Sequence, residues 1–194
     1  MAKVPKSLRA NTKDAGYPRP PSHYVAIAGV DVKPQLETYW CWAAVTAAVH
    51  NYFDSAHNGA TDQVEQCEVV ERVKGLAEHA CCGDPDTYQN ETEWPNKALS
   101  RLRNLKMTFP RGVKAASTKK QIDAGNPMAM YISRGGNDVD HVALIAGYAE
   151  HPTDAAQPYW LLIQDPSPQR YLMPFEMPPE GGVAWTKTYY TKAH

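Results

Sequence analysis

The second half of the chain contains a series of short apolar or aromatic runs, and this pattern restricts the fold more than any other feature of the sequence. The runs read NPMAMYI, HVALIAGYAE, YWLLIQDP and GVAWTKTYYTK, and Gly, Pro, Asn and Asp separate them. Runs of this length, bounded by turn-forming residues, are typical of β-strands in an antiparallel sheet. The sequence therefore predicts a sheet from about residue 106 onward.

The first half of the chain shows helical periodicity instead. The run WCWAAVTAAVHNYFD has apolar residues at helical spacing from Cys41 onward, and DQVEQCEVVERVKGLAEHA predicts a second amphipathic helix that contains Cys67. PNKALSRLRNL and STKKQIDAGNP predict two shorter helices, the first with Pro95 near its start. The expected fold class is therefore α+β, with a helical lobe over about 35–105 and a sheet lobe over about 106–194.

The first 23 residues are rich in Pro and polar residues and have no apolar core like that of a secretory signal. We expect an N-terminal arm over 1–23, followed by one domain over 24–194. No run approaches the roughly 18 apolar residues that span a bilayer, so we expect a soluble protein, either cytoplasmic or exported without a cleavable signal peptide. A formal net charge of -1 predicts neither a nucleic-acid partner nor a membrane surface.

The four cysteines are few for a chain of 194 residues and lack the paired C-x-x-C spacing of a zinc site, so we expect no metal. If Cys41 is reactive, three thiols remain. We expect those three to be reduced and mostly buried. The alternative is a disulfide from Cys67 to Cys81 or Cys82, which would require an oxidising compartment.

Cys41 lies at the predicted start of a helix, where a thiol can become a nucleophile. A thiol attacks a carbonyl group as the thiolate, and both a helix N-terminus and a nearby imidazolium favour that form. His141 opens one predicted strand and Asp165 ends the next, so adjacent strands would bring the imidazole and the carboxylate within hydrogen-bonding distance. Gln35 would supply its side-chain amide to an oxyanion hole, beside the backbone N–H of Cys41.

Taken together, these residues resemble the papain-like cysteine peptidases, in which a Gln precedes the cysteine by six positions and a His and an Asn or Asp follow in a C-terminal sheet. The segments QLETYWCWAAV, GNPMAMYI, DHVALIAGY and LLIQDP, with the CC loop, are similar to a short bacterial branch that includes plant-pathogen type III effector peptidases. The resemblance covers roughly residues 24–175. It implies an active site in a cleft between the two lobes, with Cys41 as nucleophile, His141 as general base and acid, Asp165 as orienting group and Gln35 as oxyanion donor.

The implied function is hydrolysis of peptide bonds in a protein or peptide substrate, without a cofactor. Trp42 and Asp140 are candidate substrate contacts, although Trp42 would also suit the core and Asp138 could act in place of Asp140. A proteinaceous inhibitor or immunity partner would fit this class, and we expect a monomer. Two other functions stay open, namely transglutaminase, deamidase or peptide cyclase chemistry with the same residues, and an inactive papain-like binding module.

Overall fold

The chain combines four helices with one antiparallel sheet in the part that the structure describes. The structure is a computed structural model, and it describes residues 2–3, 21, 23–82, 90–133, 140–150, 159–167, 169–175 and 184–194. The helices are α1 (Cys41–Asn58), α2 (Gln66–Lys74), α3 (Pro95–Arg101) and α4 (Ala115–Asp123). The strands are β1 (Ala2–Lys3), β2 (His23–Ala26), β3 (Leu105–Phe109), β4 (Met128–Ser133), β5 (His141–Glu150), β6 (Tyr159–Asp165), β7 (Gln169–Pro174) and β8 (Ala184–Thr191).

The sheet has the strand order β1-β2-β5-β4-β8-β3, and β6 and β7 continue it from β5. Every pairing between these strands is antiparallel. The prediction of a mixed fold with an antiparallel sheet is therefore confirmed, whereas the division into two lobes around a cleft stays a prediction. In the described part of the chain no helix is long and apolar enough to cross a membrane.

The central strands are apolar throughout because both faces of the sheet are covered. Alternate residues of a strand point to opposite faces, and two separate core clusters follow this alternation. One cluster joins α1, α2 and α3 to Ala129, Val142, Leu144, Ala146 and Tyr189 of the sheet. The other joins Ile122 of α4 to Met128, Met130, Ile132, Ala143, Ile145, Leu161 and Ile163.

Helix α1 is buried on all sides over its first ten residues, Cys41 to His50. It packs against α2, α3 and β5, and the small alanine side chains of this segment allow neighbours to approach from several directions. The helix ends where Gly59 adopts the left-handed conformation at φ 72°, which glycine adopts without steric cost. The start of α1, with Cys41, is buried by these neighbours.

The antiparallel pairing of β2 with β5 requires glycine at one position. A Cβ atom on Gly147 would lie 2.3 Å from the carbonyl oxygen of Val25 and 3.1 Å from Cα of Ala26. Real Cβ atoms do not approach backbone this closely, so a larger residue would separate the two strands.

The expectation of three reduced thiols is wrong for two of them, because Cys67 and Cys82 form a disulfide. The carboxylate of Glu71 explains the pairing. It lies one helical turn after Cys67 and accepts the backbone N–H groups of His79, Cys81 and Cys82 at 3.1, 2.7 and 3.2 Å. These bonds hold the turn after α2 against the helix. Cys81 is not part of the disulfide and is fully buried, and burial, with the charge of Glu71, raises the pKa of its thiol.

Several predicted boundaries differ from the observed ones. The second predicted helix is shorter, because Gly75 adopts φ 71° and ends α2 at Lys74. Strands β3 and β7 were not predicted. Most of the N-terminal arm, residues 83–89 of the CC loop predicted from the sequence, and Asp138 lie outside the described residues.

Candidate active site

The imidazole of His141 and the carboxylate of Asp165 form a direct hydrogen bond. His141 opens β5 and Asp165 ends β6, and these strands are antiparallel neighbours. The ring Nε2 and Asp165 Oδ1 are 2.7 Å apart. The same oxygen accepts the backbone N–H and the hydroxyl of Ser167 at 2.8 and 2.6 Å. The two donors of Ser167 hold the carboxylate in place. Because an ionised carboxylate only accepts hydrogen bonds, Nε2 carries the proton in the bond between His141 and Asp165.

The thiol of Cys41 makes a side-chain hydrogen bond with the same ring. Because Nε2 is bonded to Asp165, Nδ1 is the nitrogen that remains for the sulfur. Burial disfavours the charged ring, but the hydrogen bonds and charges of Asp165 and Cys41 outweigh burial and raise the pKa of His141 to about 9. The ring is therefore protonated at neutral pH.

The pKa of Asp165 is shifted in the opposite direction. Burial alone would raise it, but the bond to His141, the charge of that ring and the two donors of Ser167 together lower it. A carboxylate that stays ionised in a buried position can keep the imidazole charged and oriented. Thiol, imidazole and carboxylate thus form one continuous line of hydrogen bonds.

Gln35 lies in the loop that leads into α1, but both of its amide protons are used within that loop. Nε2 donates to the carbonyl oxygens of Glu37 and Thr38 at 2.9 and 2.6 Å. The carbonyl of Glu37 also accepts the N–H of Trp40 at 3.1 Å. The amide therefore stabilises the turn that directly precedes Cys41.

Two glutamines that the sequence analysis did not select hold this loop from both sides. Gln66 of α2 accepts the N–H of Leu36 at 3.0 Å and donates to the carbonyl of Pro34 at 2.8 Å. Gln164 of β6, next to Asp165, does the same for the chain segment over 30–32. Both glutamines are buried. The sequence contained a signal for Gln164, because this residue directly precedes the candidate orienting residue Asp165 in the run LLIQDP.

The side chain of Trp42 lies in the core, and its contact with substrate stays a prediction. Its side chain is 1% exposed, and its indole N–H donates to the carbonyl of Glu91 at 3.0 Å. The reason is that α1 is enclosed on all sides, so a tryptophan in its first turn lies in the core. Asp140, the other candidate, is partly exposed and accepts the hydroxyl of Tyr131 at 2.7 Å.

A group of possible metal ligands lies apart from this site. His50, Asp62 and His194 each offer one ligand atom, and these three atoms lie within 4.8 Å of one another. However, the two imidazole rings are stacked, with centroids 4.6 Å apart and an interplanar angle of 15°. A ligating imidazole binds its ion in the plane of the ring, and one ion cannot lie in two stacked planes. The arrangement therefore does not fit a metal centre.

A thiol, an imidazole and a carboxylate in one hydrogen-bonded line are typical of cysteine peptidases. Comparison with protein families supports this class, because the model of the Peptidase_C39 like family matches residues 27–191. The chain belongs to the Peptidase_C39 like family, and the predicted relation to cysteine peptidases is confirmed at that level. The type III effector branch stays a prediction. No curated protein matches the sequence.

Proposed function

We propose that the protein is a papain-like cysteine endopeptidase, with Cys41 as nucleophile, His141 as general acid and base, and Asp165 as the residue that orients the ring. One observation carries the proposal. The buried ring of His141 is bonded to Asp165 through Nε2 and also to the thiol of Cys41. A protonated imidazole next to a thiol at a helix N-terminus favours the thiolate, which is the attacking form.

In the first half of the reaction, the sulfur of Cys41 attacks the carbonyl carbon of the scissile bond and a new C–S bond forms. The proton held on His141 passes to the nitrogen of the leaving amine as the C–N bond breaks. The products of this step are a thioester on Cys41, a free amine and a neutral imidazole. Asp165 keeps the ring oriented throughout, because its bond to Nε2 is retained.

The oxyanion that forms on the carbonyl oxygen is stabilised by the backbone N–H of Cys41 and by Gln35. The N–H groups in the first turn of a helix have no partner within the helix, and Cys41 is the first residue of α1. Gln35 already donates to two carbonyl oxygens. It redirects one of these protons as negative charge develops, because a hydrogen bond to an anion is stronger than the neutral bond that it replaces.

In the second half of the reaction, His141 takes a proton from water, and the hydroxide oxygen attacks the thioester carbon. The C–S bond breaks, the acid product leaves and the thiolate–imidazolium pair is restored. If an amine took the place of water, the same residues would perform transamidation. Hydrolysis is proposed because the Peptidase_C39 like family is a family of peptidases.

The test is product analysis by mass spectrometry on a peptide library, with and without an added primary amine. Peptides cleaved with the mass of one water, by the wild type and not by Cys41→Ala, support the proposal. The matched control is Cys81→Ala, which removes the other buried cysteine outside the disulfide and should retain activity. Amine adducts in place of hydrolysed products would show a transamidase instead.

An inactive binding module is distinguished by labelling. A peptidyl epoxide should modify Cys41 stoichiometrically in the folded protein. After denaturation, this selective modification of Cys41 should be lost. The absence of labelling in the folded protein, together with the absence of cleavage, would support a binding role for the fold.

The finer features of the proposal follow from the papain-like resemblance. Substrate lies in a cleft between a helical lobe and a sheet lobe, the protein acts as a monomer on a protein substrate, and it belongs to the bacterial effector branch. The Cys67–Cys82 disulfide supports export, because disulfides persist in oxidising compartments. Detection of the protein in culture medium and a monomeric mass by light scattering would test these features.

A further inference from the structure

The side chains of Trp94, Tyr131 and Lys187 stack on one another. The rings of Trp94 and Tyr131 have centroids 5.1 Å apart. The Nζ atom of Lys187 lies 3.5 Å from the centroid of the Trp94 ring and 4.8 Å from that of Tyr131. No role in the reaction described above uses these residues.

The strand register places this stack on one face of the sheet. Tyr131 of β4 pairs with Lys187 of β8, so both side chains point to the same face of the sheet. The next residue of β4, Ile132, pairs with His141. Tyr131 also packs against the core cluster that contains Cys41. The stack therefore lies on the face of the sheet that carries α1.

The segment before Trp94 is bound to the residues on either side of Cys41. The Asn90 side chain accepts the N–H of Tyr39 at 2.8 Å. The carbonyl of Glu91 accepts the indole N–H of Trp42 at 3.0 Å. Trp94 is thus held close to the start of α1, and at 47% exposure it is one of the most exposed large apolar side chains among the described residues.

The charge of Lys187 is not neutralised by an acidic side chain in the part of the chain that the structure describes. None of the ion pairs found there includes this half-buried lysine. The carboxylate of Asp140 accepts a hydrogen bond from the hydroxyl of Tyr131. The aromatic faces attract the ammonium group by about 0.5 to 2 kcal/mol, but they leave its positive charge in place.

We infer that Trp94 and Lys187 form a substrate subsite that binds an acidic side chain, with glutamate preferred. The methylene groups of glutamate would lie on the exposed indole ring, and its carboxylate would reach Nζ of Lys187. Aspartate is one methylene shorter and would cover less of the ring. This inference rests on the proposed peptidase function, because it assigns the class of substrate for that same site.

The test compares matched peptides in which each position around the scissile bond carries Glu, Gln or Lys in turn. At one position the wild type should prefer Glu over Gln by about tenfold in kcat/KM, the value expected for one partly buried ion pair. Lys187→Met keeps the length of the side chain without its charge and should remove the preference. Lys187→Glu should reverse it in favour of Lys. The control Lys106→Met, at an exposed lysine of β3, should change nothing.

A second measurement does not depend on turnover. The same peptides are bound to Cys41→Ala, and the Glu peptide should have a dissociation constant about tenfold lower than the Gln peptide, with a smaller difference at high salt. Equal affinities, or a Glu preference that survives Lys187→Met, would overturn the subsite. A Glu preference in binding without any cleavage by the wild type would support the subsite while rejecting the peptidase.

Discussion

The backbone N–H of Gln35 donates to the carbonyl oxygen of Pro166 across 2.8 Å. Pro166 directly follows Asp165, so this bond joins the loop before α1 to the strand end that orients His141. Cys41, the candidate nucleophile, and Asp165, which orients His141, are therefore linked through the backbone as well as through the imidazole of His141. We therefore expect a substitution in this loop to affect the positions of both Cys41 and Asp165.

Gln35→Ala should lower kcat by about a hundredfold or more with little change in KM, which is the effect of removing one oxyanion donor. Steady-state kinetics on one cleaved peptide measures this. Because the amide also bonds to Glu37 and Thr38, the free energy of unfolding of the variant is measured in parallel. A raised KM with an unchanged kcat would show that Gln35 only binds the ground state.

Asp165→Ala should leave partial activity. The ring of His141 loses its orientation and its acceptor at Nε2, but it keeps the group that transfers the proton. The loss in kcat should therefore be smaller than the roughly 10²- to 10⁴-fold that proton transfer contributes. Ser167→Ala, which removes one of the donors to the Asp165 carboxylate, is the milder comparison and should lose less. Equal losses of kcat in the two variants would contradict the proposal that Asp165 orients the ring directly while Ser167 only supports Asp165.

The pKa of His141 predicts the alkaline limit of activity. The folded-state value of about 9 lies above the ordinary value of 6.5. The stabilising effect of the charged ring is therefore complete below about pH 6.5 and is lost as the pH rises through about 9. Because the ring must hold a proton for the leaving amine, kcat/KM should fall near pH 9 in the wild type.

Asp165→Asn provides the control for this pH profile. An amide cannot supply the negative charge that helps to raise the pKa of His141, so the alkaline limb should move to lower pH in the variant. Profiles of kcat/KM from about pH 6 to pH 10 measure the difference. An alkaline limb that stays at the same pH in the variant would mean that another group controls it.

The sequence contained the information for the helices and central strands because their patterns are local. Helical spacing from Cys41 and the runs that became β4, β5, β6 and β8 were visible without any knowledge of the partners. By contrast, the short edge strand β3, LKMTF, has its three middle residues exposed. An edge strand of this kind lacks the continuous apolar run that indicates a buried strand, so the sequence analysis missed it.

The features of the candidate site that could not be predicted depend on contacts between distant segments. The bonds of Gln66 and Gln164 to the chain before α1 follow from contacts between distant segments, and the turn bonds of Gln35 follow from loop geometry. Neither leaves a periodic signal in the sequence. The positions of His141 and Asp165 on neighbouring strands could be predicted, because strand order along the chain placed them at adjacent ends.

Gly147→Ala tests the close pairing of β2 and β5. The added methyl group would meet the carbonyl oxygen of Val25 at 2.3 Å, so backbone must move and the variant should lose about 2 kcal/mol or more of unfolding free energy. Urea denaturation measures this loss. Gly75→Ala is the comparison for a clash, because nothing lies within 4 Å of a Cβ atom there and its cost would come only from the left-handed backbone at φ 71°. A smaller loss for Gly147→Ala than for Gly75→Ala would contradict the predicted clash.

The Cys67–Cys82 disulfide should contribute measurably to stability because it closes a loop between residues 15 positions apart. In the chain-entropy model a loop of this size contributes about 3 kcal/mol. Cys82→Ala should therefore lower the unfolding free energy by about that amount without reductant, and the difference from wild type should disappear when reductant is present. Cys81→Ala, at the neighbouring cysteine outside the disulfide, controls for packing and should show no such dependence on reductant. Titration of the denatured, unreduced wild type should find two thiols, those of Cys41 and Cys81, and a count of four would show that the bridge does not form.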